Sequence, residues 1–371
     1  MQEDIFVTRP ELPPLADFVK SLETLWDSRL LTNNGSFHQA FETELAEYLG
    51  VKYVSLFANG TLALLTALQV LRINGEVITT PYTFAATTHA LHWNQITPVF
   101  CDIDPWTLNL DPNRIESLIT PRTTAILPVH IYGIPCDVAK IEDIADVYGL
   151  KVIYDACHAF GVKVKNESIL TAGDLSVLSF HATKIFTTME GGAIVTNDLK
   201  VKKRIDYLKN FGFSNEVHVI APGINGKMNE MQAALGLLQL KYIDGYIASR
   251  RQKAMYYREH LRGLRGLRLM EDFPDVTHNY PYFPVFISQD EFGASRDAVY
   301  HALRDRNIYS RRYFYPLTSA FPMYRNSPSA APENLPIANV ISSQVLCLPL
   351  FPDLHEIQLD RIIRTIKDTA K

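Results

Sequence analysis

The stretch from Leu175 to Thr196 reads LSVLSFHATKIFTTMEGGAIVT. Two apolar, β-branched runs, Leu175 to Phe180 and Ala193 to Thr196, flank a polar loop. A strand runs in, the chain turns, and a second strand runs out. Lys184 is the one Asp, Glu, Lys or Arg between Asp174 and Glu190. A lysine among apolar and hydroxyl residues loses hydration, which disfavours its ammonium form and lowers its pKa. A neutral amine attacks carbonyls, so the setting suits a Schiff-base lysine. For this stretch taken alone, a surface lysine snorkelling out of a loop is the plainer alternative.

Upstream, the same kind of apolar run recurs at Tyr53 to Phe57, Glu76 to Thr80, Thr97 to Ile103, Thr124 to His130 and Lys151 to Ala156. Helical patterns lie between several of them, at Thr61 to Leu71, Phe84 to Trp93 and Val138 to Tyr148. Short strands that are apolar on both faces and alternate with helices predict an α/β fold with a mostly parallel, seven-stranded sheet. Ligands of such sheets bind beyond the carboxyl ends of the strands, so what each strand end carries matters.

The first strand ends in Asn59-Gly60-Thr61. Glycine at a helix start exposes backbone N–H groups to the positive end of the helix dipole, which suits a phosphate; plain capping by Asn59 or Thr61 is the competing reading. The second ends in Pro81-Tyr82-Thr83-Phe84, where an aromatic ring either stacks on a flat ligand or joins the core. The fifth ends in Asp155-Ala156-Cys157-His158. A buried aspartate requires a partner, and a pyridinium N–H is one; a helix cap, an ion pair or an Asp–His dyad are others. No third ligand lies at a spacing that suits a metal. The sixth ends at Ser179 and leads to Lys184. A phosphate cradle, a stacking ring, an acid for a ring nitrogen and an amine for an aldehyde are together the handles of pyridoxal 5′-phosphate.

The rest of the chain is consistent with a soluble enzyme. Among 371 residues, 47% are hydrophobic and 20% charged, as in an ordinary globular protein with a large core. A net charge of −4 without basic runs argues against nucleic acid or an anionic membrane as partner. Cys101, Cys136, Cys157 and Cys347 form no CxxC pair and read as reduced core residues of a cytoplasmic protein. Met1 to Pro14 has no apolar segment of a signal peptide, and no run is long enough to span a bilayer.

A helix is expected over Leu15 to Leu30, a polar turn at Leu31 to Gly35 in which Asn33 is a cap or a ligand contact, and a helix over Phe37 to Leu49 closed by Gly50. Beyond residue 200, helices are expected at Leu199 to Asn210 and Asn229 to Ala248, the latter continuing into a charged helix to Leu264. The final third mixes antiparallel strands (Tyr282 to Ile287, Leu346 to Leu350) with helices (Ser295 to Arg306, Leu354 to Ala370). Two domains follow: a cofactor-binding domain over 1–240 and a smaller α+β domain over 241–371.

With these residues in hand, the chain resembles the DegT/DnrJ/EryC1/StrS family of sugar aminotransferases. The matching stretches are VTRPELPP (Val7 to Pro14), LTNNG (Leu31 to Gly35), NGTLAL (Asn59 to Leu64), VITTPYTFAAT (Val77 to Thr87), PVFCDID (Pro98 to Asp104), DACHAFG (Asp155 to Gly161), SFHATK with EGG (Ser179 to Gly192) and GINGKMNEMQAALG (Gly223 to Gly236). The resemblance runs from about Phe6 to the end of the chain. The resemblance implies the aspartate-aminotransferase fold and pyridoxal 5′-phosphate as cofactor. It implies transfer of an amino group from L-glutamate to a nucleotide-linked keto sugar, most closely dTDP-4-keto-6-deoxy-D-glucose, for O-antigen or another surface glycan.

The resemblance also implies roles. Lys184 would bind the cofactor's aldehyde and then shuttle protons. Asp155 would hold the pyridine nitrogen protonated, and His158 would lie near the 3′-oxygen. Phe84 would stack on the ring, while Gly60, Thr61 and Ser179 would hold the phosphate. Asn225 would reach the phosphate from a neighbouring subunit, making a homodimer the working unit. Asn33, Tyr313 and Tyr315 are candidates for substrate contacts. Two departures stand out: Met189 where many members have glycine, and His158 where many have glutamine. Amination at C3, dTDP against UDP, a dehydratase (whose family members carry histidine in place of the lysine) and a non-catalytic regulatory protein are the remaining alternatives.

Overall fold

The computed structural model describes residues 3–370. Met1, Gln2 and Lys371, and with them the outer limits of the two expected domains, lie outside the described residues. The seven expected strands form one sheet, in the order Tyr53–Phe57, Gly192–Thr196, Leu175–Ser179, Lys151–Asp155, Thr123–Leu127, Glu76–Thr79, Thr97–Phe100. Gly192–Thr196 runs antiparallel to both neighbours and the other pairings are parallel. Successive residues enter opposite cores. Val54, Leu56, Leu178 and Val195 pack with Phe41 and Phe186 on one face, whereas Phe57, Val177 and Ile194 pack with Leu64 and Leu68 on the other. Both faces are covered, which is why the strands carry little polar alternation.

Five strands stop short of their apolar runs, by one to three residues. The run from Thr124 to His130 leaves the ladder at Leu127, because Pro128 has no N–H to donate. Its carbonyl still accepts from Asp155 N (2.9 Å), and His130 N donates to Asp155 O (3.1 Å), so the strand end stays hooked to its neighbour.

The helix expected over Asn229 to Ala248 is two helices, Glu230–Leu240 and Ile243–Leu261. Lys241 N and Tyr242 N donate to Leu238 O and Gln239 O, tightening the last turn, and the fully buried Ile243 opens the next helix. No glycine or proline marks this break, so apolar periodicity runs straight through it.

Beyond it lies a second, antiparallel sheet of Leu267–Leu269, Phe283–Ile287 and Val345–Leu348. Its core includes Val299 and Ile362 from helices Arg296–Arg304 and Glu356–Thr369. Ile5–Phe6 pairs with Ile308–Tyr309, and Ile5 is buried in this C-terminal core. The described N-terminus is thus tied to the far end of the chain.

The Leu31–Gly35 turn is held by Glu230, which is buried. Its carboxylate accepts from Gly35 N and Phe37 N at 2.9 Å and from His38 N at 3.3 Å. These are N–H groups left without partners where helix Ser36–Leu49 begins, and a carboxylate there also complements the helix dipole.

Candidate active site

Parallel strands place their carboxyl ends along one edge, and a cleft of about 240 Å³ opens there. Gly60, Thr61, Phe84, Asp155, His158, Ser179, Lys184 and Tyr313 all line it. Residues more than a hundred positions apart are gathered because all but Tyr313 sit at, or just beyond, an end of a strand of this sheet.

At one end of the cleft, helix Gly60–Val70 begins. Asn59 Oδ1 accepts from Leu62 N (2.9 Å), so the side chain of Asn59 is a helix cap. Gly60 packs so closely on its neighbours that a Cβ there would lie 2.9 Å from Ser179 Cβ. A Cβ on Gly192 would lie 2.7 Å from both Asn59 C and Gly60 N. Two glycines therefore let the antiparallel strand and the helix start press together, beside the hydroxyls of Thr61 and Ser179. A helix N-terminus with flanking hydroxyls suits a phosphate.

At the centre, Asp155 is buried. Its Oδ2 accepts from Thr87 Oγ1 at 2.7 Å and its Oδ1 from Cys157 N at 3.1 Å. Thr87 Oγ1 in turn meets Thr83 Oγ1 at 2.8 Å. Each carboxylate oxygen keeps a further lone pair for a ring N–H in the cleft.

Lys184 stands across from it on a loop closed by Phe180 N to Gly191 O (2.8 Å) and Thr188 N to Phe180 O (3.0 Å). Burial lowers its pKa below the ordinary lysine value, against opposing pulls from Cys157, Asp155 and Tyr313. This is the direction a carbonyl-attacking amine requires.

His158 is buried, and burial, with a further contribution from Lys184, holds its pKa well below the usual histidine value. The ring lies flat against Phe314 (centroids 5.9 Å, 9°) and edge-on to Tyr282 (5.0 Å). A neutral histidine offers one acceptor and one donor, as a glutamine amide does, so His158 has the hydrogen-bonding capacity of the glutamine that the resemblance implies at this position. Met189, the other departure, adopts φ 69°, the left-handed region that favours glycine.

Three of the sequence-derived candidates do not line the cleft of the single chain. Asn33 (φ 66°) lies in the exposed Leu31–Gly35 turn. Asn225 is exposed and its Oδ1 accepts from Lys227 Nζ (2.9 Å). Tyr315 is half exposed and lies under the guanidinium of Arg296 (4.8 Å). Of the two aromatics at the second strand end, Phe84 faces the cleft while Tyr82 is fully buried.

The cleft also contains residues that sequence reading missed: Thr83, Cys157, His181, Glu190, Tyr282 and Phe314. Thr83 and Thr87, four apart at a helix start, carry a legible signal, two hydroxyls on one face. Tyr282 and Phe314 carry none, because their approach depends on how the C-terminal sheet docks.

The model of the DegT/DnrJ/EryC1/StrS aminotransferase family matches residues 15–367. The chain is 53% identical over 351 residues to the dTDP-4-amino-4,6-dideoxy-D-glucose transaminase of Escherichia coli, covering 94% of each chain. It is similar to the crystal structure of DesI in the presence of its TDP-sugar product: TM-score 0.95, 36% identity, 99% of this chain and 93% of that one. It is also similar to NtdA from Bacillus subtilis with bound cofactor PMP: TM-score 0.85, 30% identity, 96% of this chain and 81% of that one.

Proposed function

Since the chain belongs to the DegT/DnrJ/EryC1/StrS aminotransferase family, and is thereby a pyridoxal-phosphate-dependent transaminase, we propose that it moves an amino group from L-glutamate to C4 of dTDP-4-keto-6-deoxy-D-glucose. The product is the 4-amino-4,6-dideoxy sugar, destined for a surface glycan. The 53% identity to a transaminase of that name is the observation that carries the substrate.

When bound, the cofactor supplies an aldehyde to carry the amine and an electron-withdrawing ring to stabilise negative charge beside it. The chain's own residues do the rest. Gly60, Thr61 and Ser179 anchor the phosphate at the helix start. Asp155, oriented by Thr87 and Cys157 N, keeps a proton on the ring nitrogen. Phe84 lies against the ring, and His158 donates a hydrogen bond to the ring oxygen. Lys184 Nζ, whose ammonium form burial disfavours, would hold the aldehyde and serve as the group that takes and returns the proton at the reacting carbon. Tyr313 faces the sugar, and Asn33 and Tyr315, which lie outside the single chain's cleft, are the further substrate contacts of this reading.

The same reading makes a homodimer the working unit, with Asn225 of each subunit reaching its neighbour's phosphate. Exposed apolar side chains support it: Phe211, Val217, Val219 and Ile220 lie on one loop, and Trp93, 79% exposed, lines a groove with Pro222 and Ile224 just beyond them. It also divides the chain at about residue 240 into the cofactor-binding and C-terminal domains, supported by the helix break there. A nucleotide-linked substrate and four unpaired cysteines support a cytoplasmic location.

The experiment is to supply pyridoxal 5′-phosphate, L-glutamate and dTDP-4-keto-6-deoxy-D-glucose and to locate the new amine by NMR. An equatorial or axial amine at C4 is the expected product class. An amine at C3, a deoxy product, or full turnover by Lys184→Ala would overturn the proposal. Light scattering tests the dimer, which should weigh twice the 42.0 kDa of the chain.

A further inference from the structure

Tyr132 lies outside the cleft and is almost completely buried. Its backbone is in the left-handed region, φ 52° and ψ 20°, which is unfavourable for a bulky side chain. A residue kept there must be held by its surroundings, and such outliers direct attention to function.

Each polar group of Tyr132 has a specific partner. Its N–H donates to His158 Nδ1 at 3.2 Å. Its carbonyl accepts from His278 Nε2 at 2.9 Å, while His278 Nδ1 accepts from Tyr280 N at 3.3 Å, which leaves the proton of that ring on Nε2. Its hydroxyl donates to Tyr313 O and meets Tyr82 Oη at 2.6 Å; Tyr82 Oη also reaches Tyr313 O at 3.2 Å. The adjoining turn is clamped as well. Asn279 Nδ2 donates to both His158 O and Phe160 O at 2.9 Å, and its Oδ1 occupies the place of a Cβ on Gly133 (φ 79°).

Two consequences follow. A ring nitrogen that accepts from an N–H carries no proton, so neutral His158 has its proton on Nε2, the nitrogen left for a ligand in the cleft. The carbonyl between Tyr313 and Phe314 accepts from Tyr132 Oη, which Tyr82 Oη braces by donating to it at 2.6 Å, and this holds the Tyr313 ring at the cleft and the Phe314 ring against His158.

We propose that Tyr132 is a positioning residue that sets both walls of the cleft, through its backbone N–H the tautomer of His158 on the cofactor side, and through its hydroxyl the placement of Tyr313 on the sugar side. The sugar-side half rests on the transaminase reading given above.

Tyr132→Phe removes the hydroxyl and leaves the backbone. KM for the keto sugar should rise at least fivefold, while the bound-cofactor absorbance and the glutamate half-reaction change less than threefold. An unchanged KM, or an equal fall in both half-reactions, would overturn the sugar-side placement. Tyr82→Phe should give a smaller change, and adding it to Tyr132→Phe should cost more than the two separate effects, since either single variant leaves Tyr313 O one phenol within reach and the double variant leaves none. Independently of turnover, 15N NMR of imidazole-labelled protein freed of cofactor should show His158 as the neutral Nε2–H tautomer at pH 7. A protonated ring or an Nδ1–H tautomer would refute the cofactor-side half. If wild-type protein transfers no amine to the sugar yet shows the Nε2–H tautomer, the substrate assignment fails and the tautomer assignment stands.

Discussion

Thr87 Oγ1 lies 2.7 Å from Asp155 Oδ2. Thr87 lies in the first turn of helix Ala85–Trp93 and Asp155 at a strand end, 68 positions apart, and both are buried. The hydroxyl orients the carboxylate toward the cleft without adding charge. Thr87→Val keeps the shape and removes the donor. A hydrogen bond to a charged group contributes about 1.5–3 kcal/mol, and part of that would bear on the carboxylate's orientation toward the ring nitrogen proposed as its partner. We expect kcat to fall roughly tenfold, and the cofactor to dissociate more readily on dialysis. Unchanged kcat would mean that Cys157 N alone orients Asp155.

At His158, substitution by glutamine should be mild and truncation severe. Glutamine supplies an acceptor for Tyr132 N and a donor toward the cleft, so His158→Gln should hold turnover within about threefold. His158→Ala removes both groups and the stacking partner of Phe314, and should lose more than tenfold. Equal losses in the two variants would show that the imidazole does something an amide cannot.

Gly192 faces backbone rather than a movable side chain. An added Cβ meets Asn59 C and Gly60 N at 2.7 Å, so either the strand or the helix start must shift. Gly192→Ala should weaken cofactor binding at least tenfold and cost about 1–3 kcal/mol of stability, as overpacking does. Titrating the refolded variant with pyridoxal 5′-phosphate and following its melting temperature measures both. Wild-type affinity would show that the cradle tolerates the displacement.

Acid should destabilise the fold above the ordinary carboxylate range. Burial holds His38 neutral down to about 4 and His130 down to about 3. The unfolded chain protonates these rings from about pH 6.5 downward. Between 6.5 and 4 the unfolded state therefore binds more protons, and stability falls as pH falls. For His38 alone the loss by pH 4 is on the order of 3 kcal/mol. Glu42, held at about 2 by Lys209 and Lys202 despite its own desolvation, acts in a lower window. Its contribution is complete above about 4.5 and disappears as pH falls toward 2. Melting temperatures in a pH series should show the first decline starting near 6.5, and His38→Gln should reduce it. A flat curve from 6.5 to 5 would contradict the neutral, buried histidines.

The sequence by itself determined the sheet, the strand ends and the chemical groups carried there. Strands buried on both faces are uniformly apolar, and a charged or glycine residue at the end of such a run is visible against that background. Lys184, Asp155 and the Gly60–Thr61 turn were legible for this reason, as was the alternation of strands with helices. The departures from the resemblance, Met189 and His158, were also visible, but their meaning was not. One depends on a backbone φ of 69° and the other on a hydrogen bond from Tyr132.

Only the tertiary structure decided which distant side chains complete the cleft. Periodicity reports burial, not the partner against which a residue is buried. It therefore missed the break at Lys241–Tyr242, where one helix ends and the next begins with no glycine or proline between them. It placed Tyr82 and Phe84 together, although one is core and the other faces the cleft. It carried no trace of Tyr132 as the residue joining His158 to Tyr313, because those contacts span 26 and 181 positions. Local sequence sets which groups lie at a strand end; long-range packing sets their orientation, tautomer and neighbours.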